Sequence, residues 1–154
     1  MVIHFVCRGN AFRSVIAEAY LNSLEINGVS VMSSGTVAEK NKVHNSATYP
    51  VVLALLDKHG IKKFAKTHYA DQLTQTLLDT SDIIVCANQV VYDECVESFK
   101  LPRGVVVWNV ADMGEPGRMP KTELEREAYF EDAYQEIVKN VDALVRAHKL
   151  IVSR

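Results

Sequence analysis

Val2-Ile3-His4-Phe5-Val6-Cys7-Arg8-Gly9-Asn10-Ala11-Phe12-Arg13-Ser14 follows the initial Met1, and the reading of the whole fold turns on it. The apolar run Val2 to Val6 suits a buried strand, and Cys7-Arg8-Gly9-Asn10 suits the turn that ends it. A helical pattern starts at Ser14, with Ile16, Tyr20 and Leu24 at four-residue spacing and Asn27-Gly28 as its stop. Between strand and helix, a thiol at Cys7 and a guanidinium at Arg13 can close a semicircular loop. Its amides and the helix N-terminus then form an anion site. Arg13 adds a planar fork able to hold two phosphate oxygens. The same positive field favours a thiolate, the nucleophilic form of cysteine. Gly9 and Asn10 are residue types that accept the positive φ such a tight turn demands. Ser14 is placed to donate its hydroxyl to the thiolate, stabilising sulfur as a leaving group.

Outward from this loop, strands and helices alternate. Val29 to Met32 reads as a second strand, stopped by Ser33-Ser34-Gly35. A helix is predicted over Tyr49 to His59, with Pro50 in its first turn and Gly60 as its stop. A short helix follows near Thr74 to Leu78, then a buried strand over Asp82 to Cys86, a helix over Gln89 to Phe99 and a strand over Val105 to Val107. The last helix is announced by a capping box at Thr122 and Glu125 and carries Phe130, Tyr134, Ile137, Val141 and Leu144 as a core-facing stripe. The pattern predicts an α/β fold: a three-layer sandwich with a small, about four-stranded parallel sheet flanked by helices, and a phosphate loop after the first strand. Ligands in such folds bind at the carboxyl ends of strands, which is where Cys7 falls.

The 154 residues contain no repeat, low-complexity tract or linker, so one domain over residues 1–154 is expected. A hydrophobic content of 48% with 23% charged residues fits a globular chain. No apolar run is long enough to span a bilayer, and the N-terminus shows no signal-peptide pattern. A net charge of −2 speaks against a nucleic-acid partner. Three cysteines, Cys7, Cys86 and Cys95, widely separated, fit a reducing cytoplasm, and no zinc-ligand spacing is present.

The segment Phe5-Val6-Cys7-x-Gly9-Asn10-x-x-Arg13-Ser14-x-x-Ala17-Glu18-Ala19 resembles the signature of the low-molecular-weight protein tyrosine phosphatases. The likeness continues through Ser33-Ser34-Gly35-Thr36, His59-Gly60-Ile61, His68, Gln72-Leu73-Thr74 and Asp82-Ile83-Ile84, in the family's order. It implies a cofactor-free phosphomonoester hydrolase working through a phosphocysteine, on a phosphorylated protein or a small phosphomonoester. Cys7 would be the nucleophile, with Arg13 and the loop Arg8, Gly9, Asn10, Ala11, Phe12 and Ser14 holding the phosphoryl group. Asp112, in Trp108-Asn109-Val110-Ala111-Asp112, takes the place of the family's general acid, with Glu115 as its nearest rival. Asn10 and Ser33 would support the loop's shape, joined by His68.

The chain departs from the family pattern where substrate is read. Phe12 stands where a second cysteine is usual, Asp112 is followed by Met113-Gly114 instead of Pro and an aromatic, and Val37-Ala38-Glu39-Lys40 lacks an aromatic wall. Ala11 matches neither the Ile of tyrosine phosphatases nor the Thr of arginine phosphatases, and Asp71 replaces an Arg. Phosphotyrosine is the default substrate; a protein arginine phosphatase is an alternative. So is an arsenate reductase on a similar fold, which would recruit Cys86 and Cys95, and so is a non-catalytic phosphate-binding module. Because Phe12 leaves Cys7 without an adjacent thiol to trap its sulfenic acid, peroxide should inactivate the protein rapidly and poorly reversibly. Full recovery of activity in dithiothreitol after prolonged excess peroxide would contradict this.

Overall fold

In a computed structural model, residues 1–42, 50–66, 70–112 and 120–151 are described. The parallel sheet has the order β2-β1-β3-β4, formed by β1 (Val2–Cys7), β2 (Ser30–Gly35), β3 (Ile83–Cys86) and β4 (Val106–Val107). β1 is central, pairing with β2 from Val2↔Ser30 to Cys7↔Gly35 and with β3 from Ile3↔Ile83 to Val6↔Cys86. Its side chains alternate between two apolar clusters. Ile3 and Phe5 face one layer, containing α1 (Arg13–Ser23), α3 (Pro50–Lys58) and α6 (Glu123–Ala147). Val6 joins Ile84 and Cys86 on the other face, under α4 (Gln75–Asp79) and α5 (Gln89–Ser98), through Leu78, Val91 and Cys95. These are the three layers expected. No helix among the described residues is long and apolar enough to cross a membrane.

The long helix α6 begins at the expected capping box. Glu125 N–H donates to Thr122 Oγ1 at 3.1 Å, and Thr122 N–H donates back to Glu125 Oε2 at 3.2 Å. Its stripe Phe130, Tyr134, Ile137, Val141 and Leu144 is buried. Glu131, held down to about 2 by its bonds to Gln135, Lys58 and His59, ties α6 to the end of α3.

Three boundaries differ from expectation. β2 does not stop at Ser33; it runs on through Ser33, Ser34 and Gly35, because these pair with Phe5, Val6 and Cys7 and find buried partners for both hydroxyls. A short helix α2 (Ala38–Lys42) forms where only loop was expected. α1 ends at Ser23, before Asn27-Gly28, and Glu25 adopts a left-handed φ of 48°.

His4 is wholly buried on β1. Ser81 Oγ donates to the Leu77 carbonyl at 2.6 Å, so it accepts from the Nδ1–H of His4. Nε2 is then left to accept from Ser34 Oγ at 2.7 Å. In this neutral tautomer every polar atom is satisfied, whereas a second proton would be trapped out of water. Burial accordingly pushes the His4 pKa down from 6.5 to about 4. Between those values the unfolded chain binds a proton that the native state refuses, so stability falls as pH drops from about 6.5 to about 4. Urea unfolding at pH 7 and pH 5 should show the wild type losing about 2 kcal/mol more than His4→Gln over that interval. Parallel losses in the two proteins would exclude His4 as the source.

Candidate active site

The loop from Cys7 to Arg13 leaves the carboxyl end of the central strand and enters the N-terminus of α1. Of the two residue types suited to a positive φ, Asn10 takes it, at 51°, and Gly9 does not. The turn is nonetheless tight enough that Asn10 N–H donates back to Cys7 Sγ at 3.2 Å. The Asn10 side chain is completely buried, and its four hydrogen-bonding positions are all used. Oδ1 accepts from Lys66 Nζ at 2.8 Å and from Asp71 N–H at 2.8 Å. Nδ2 donates to Ser14 Oγ and to Ser33 Oγ, both at 2.9 Å. Ser33 passes its own proton to the Glu18 carboxylate. Ser14 Oγ, which accepts from Asn10, lies 3.0 Å from Cys7 Sγ and is placed to donate its proton to a thiolate there.

Arg13, only 2% exposed, is the first residue of α1. Nη1 donates to the Val110 carbonyl at 2.9 Å and Nη2 reaches Asp112 Oδ2 at 2.9 Å. The structure therefore pairs Arg13, at the end of the loop that starts at Cys7, with Asp112 from far along the sequence. Asp112 is held on the segment after β4 by main-chain bonds from Trp108 N–H to Cys86 O and from Val110 N–H to Ala87 O, each 2.9 Å. Tyr129 on α6 adds a hydrogen bond to the Ala111 carbonyl at 3.2 Å. Beside Ala111, a cavity of about 440 Å³ opens toward Tyr129, Asp132 and Glu136.

Phe12 and Ala11 are buried, not exposed to the loop mouth. Phe12 packs edge-on against Phe130 at 5.0 Å, so the position usually held by a cysteine here bolts the loop to α6. Arg8 is the exposed member, but it does not stand free. Its Nε pairs with Glu94 Oε1 of α5 at 2.8 Å, while Thr36 Oγ1 donates to Glu94 Oε2 at 2.5 Å. That pairing offsets the positive charge Arg8 would otherwise present at the surface. His68 and Glu115 lie outside the described residues.

The family model for low molecular weight phosphotyrosine protein phosphatase matches residues 2–150. The chain belongs to that family. A protein-arginine-phosphatase of Bacillus subtilis (strain 168) is 38% identical over 88 residues, 55% of this chain, and the match spans 54% of that protein, about half its length. Among solved structures, Vibrio vulnificus Wzb in complex with benzylphosphonate superposes with a TM-score of 0.75 at 22% identity, over 95% of this chain and 97% of that one. The low molecular weight protein tyrosine phosphatase from T. tengcongensis gives 0.74 at 20% identity, over 96% and 99%. These two establish a shared fold.

Within this phosphatase fold, three contributors to the site escaped the sequence reading as supports of the loop: Glu18, Lys66 and Glu94. Asp71, noted only as a replacement for Arg, pairs with Lys66 Nζ at 2.9 Å. Lys66 closes a run containing Lys62 and Lys63, which reads as a solvated basic stretch, and nothing local marks it as buried.

Cys86 and Cys95 are both fully buried, and the neighbouring Cys95 together with burial pushes the Cys86 thiol up.

Gly35 ends β2 against the phosphate loop. A Cβ there would run into the Arg8 carbonyl oxygen and lie 2.8 Å from the Asn10 amide nitrogen, both backbone atoms that cannot swing away. Gly35→Ala should therefore cost about 1–3 kcal/mol in urea unfolding and weaken inorganic phosphate binding in the same protein. Unchanged stability and phosphate affinity would show that the loop does not depend on this close approach.

Proposed function

We propose that the chain is a cofactor-independent protein phosphatase that hydrolyses phosphomonoesters through a phosphocysteine, of the protein-tyrosine-phosphatase type. The observation that carries this reading is one cluster: the Asn10 amide and the Ser14 hydroxyl aim at Cys7 Sγ while buried Arg13 holds Asp112.

Cys7 thiolate attacks phosphorus in line, with Arg13 and the loop amides taking the equatorial oxygens. As the P–O bond breaks, the Asp112 carboxyl delivers its proton to the leaving oxygen. Water then attacks the phosphocysteine, Asp112 carboxylate accepts its proton, and the S–P bond breaks to return the thiolate. Ser14 stabilises sulfur in that second departure through the bond it already makes. Arg13 links the two halves of the cycle. Phosphate oxygens compete with Asp112 for Nη2, so binding frees the carboxyl at the moment it is needed.

The substrate is a phosphorylated protein or a small phosphomonoester, with phosphotyrosine the first choice. Phosphoarginine is the second reading, supported by the Bacillus subtilis relative and by the cavity beside Ala111, whose Asp132 and Glu136 carboxylates complement a cation. A thiol relay of the arsenate-reductase kind is disfavoured because Cys86 and Cys95 are shut away from any external reductant. A non-catalytic phosphate-binding module would have no use for the Cys7, Ser14 and Asp112 arrangement. Three free thiols are in keeping with a reducing, cytoplasmic setting.

Turnover of p-nitrophenyl phosphate in EDTA tests the chemistry. Cys7→Ser should fall to background, and its retention of activity would end the proposal. Asp112→Ala should lose about 10²–10⁴-fold with a poorly departing alkyl phosphate and much less with p-nitrophenol. Equal losses with the two leaving groups would place the acid elsewhere. Matched phosphotyrosine and phosphoarginine peptides compared by kcat/KM decide the substrate.

A further inference from the structure

The mechanism above makes no use of Lys66, a lysine whose side chain is only 2% exposed and which lies directly beneath the phosphate loop. A buried ammonium is costly unless every proton is met. Here Nζ donates to Asn10 Oδ1 at 2.8 Å, to the Ser33 carbonyl at 3.1 Å and to Asp71 Oδ2 at 2.9 Å, with Glu18 Oε2 at 3.8 Å.

The direction of these bonds matters more than their number. Lys66 Nζ and Asp71 N–H can only donate, so they force the Asn10 amide oxygen toward themselves. Both Nδ2 protons must then point at Ser14 and Ser33. Ser14 Oγ, acting as acceptor toward Asn10, keeps its own proton to donate to Cys7 Sγ, 3.0 Å away, when that sulfur is a thiolate. From the ammonium onward, each donor points one step closer to sulfur. Chains of this kind strengthen along their length.

We propose that Lys66 is a positioning residue for the phosphate site: through Asn10 and Ser14, its buried ammonium sets the polarity of the hydrogen-bond chain that ends on Cys7 and holds Asn10 in its left-handed turn. The proposal rests on the reading of Cys7 as the nucleophile, but phosphate binding tests it independently of turnover. Lys66 touches no substrate in this arrangement. Its effect is transmitted.

Lys66→Met removes an ammonium that faces the carboxylates of Asp71 and Glu18, so the double variant K66M/E18Q, which also withdraws the more buried of the two negative charges, guards against a failure to fold. With urea midpoints confirming a folded protein, titration calorimetry should show inorganic phosphate bound about tenfold more weakly, and kcat for p-nitrophenyl phosphate about tenfold lower. In a Ser14→Ala background the same Lys66 change should cost much less, since the chain is already cut. A folded K66M/E18Q that binds phosphate and turns over like the wild type would overturn the proposal. So would a Lys66 effect of equal size with and without Ser14. If wild type itself fails to hydrolyse aryl phosphates, the phosphatase reading falls, and the phosphate titrations still decide the role of Lys66.

Discussion

Asn10 occupies a backbone conformation that L side chains rarely adopt, and the hydrogen bonds of its side chain hold it there. Without that turn the chain would leave β1 along the sheet, and its amide would not double back on Cys7. The partners of Asn10 come from β2, from α1 and from the segment ahead of α4. The geometry at sulfur is thus fixed by contacts spread across the sandwich. This explains why the loop needs so little flexibility of its own: glycine freedom is used at the neighbouring strand, where Gly35 lets two backbones touch, and not at Gly9.

The sheet topology supplies the remaining pieces. β1 lies between β2 and β3, so its carboxyl end is flanked on one side by Gly35 and Thr36 and on the other by Cys86 and Ala87. Thr36 N–H and Val37 N–H donate to the carbonyls of Cys7 and Arg8 at 3.0 and 2.9 Å, which satisfies the outer edge of the loop. On the other side, Ala87 O receives Val110 N–H, and this positions the segment that ends at Asp112. Cys7 at the end of β1 and Asp112 beyond β4, with β3 between the two strands, therefore lie at the same end of the sheet, although they are far apart in sequence. The aromatic contacts of Phe12 with Phe130 and of Phe5 with Trp108 bring loop, sheet and α6 into one packed unit.

Features written locally were legible from the sequence. The alternation of apolar runs and helical stripes, the Thr122 and Glu125 cap, and the Cys7 to Ser14 spacing each depend on neighbours within a turn or two. Asp112 was legible only through resemblance, since an aspartate in a loop carries no signature of its own. Lys66, Glu18 and Glu94 were not legible as supports, for a physical reason. Apart from Asp71, five positions from Lys66, their partners lie 15 to 86 positions away, and a charged side chain gives no local sign of whether it ends in water or under a loop. Ser33 and Ser34 misled for a related cause. Small polar residues usually stop a strand, but here their hydroxyls find Asn10, Glu18 and His4 inside the core, and the strand continues.

The charged groups around the loop separate what binds phosphate from what faces the substrate. Arg8, the exposed cation, is neutralised by Glu94, and Lys66 is balanced by Asp71 and Glu18. Arg13 is paired with Asp112 through Nη2, and its Nη1 bond to the Val110 carbonyl holds the guanidinium plane. A fixed donor needs no reorganisation when phosphate arrives, which is where such a site gains most over water. In the proposed mechanism, exchange at Nη2 hands this donor from Asp112 to the phosphoryl group, while the loop amides take the remaining oxygens. Because the proposed exchange draws on Arg13, Val110 and Asp112, the atypical segment Val37 to Lys40 can differ in what it admits while leaving that exchange in place.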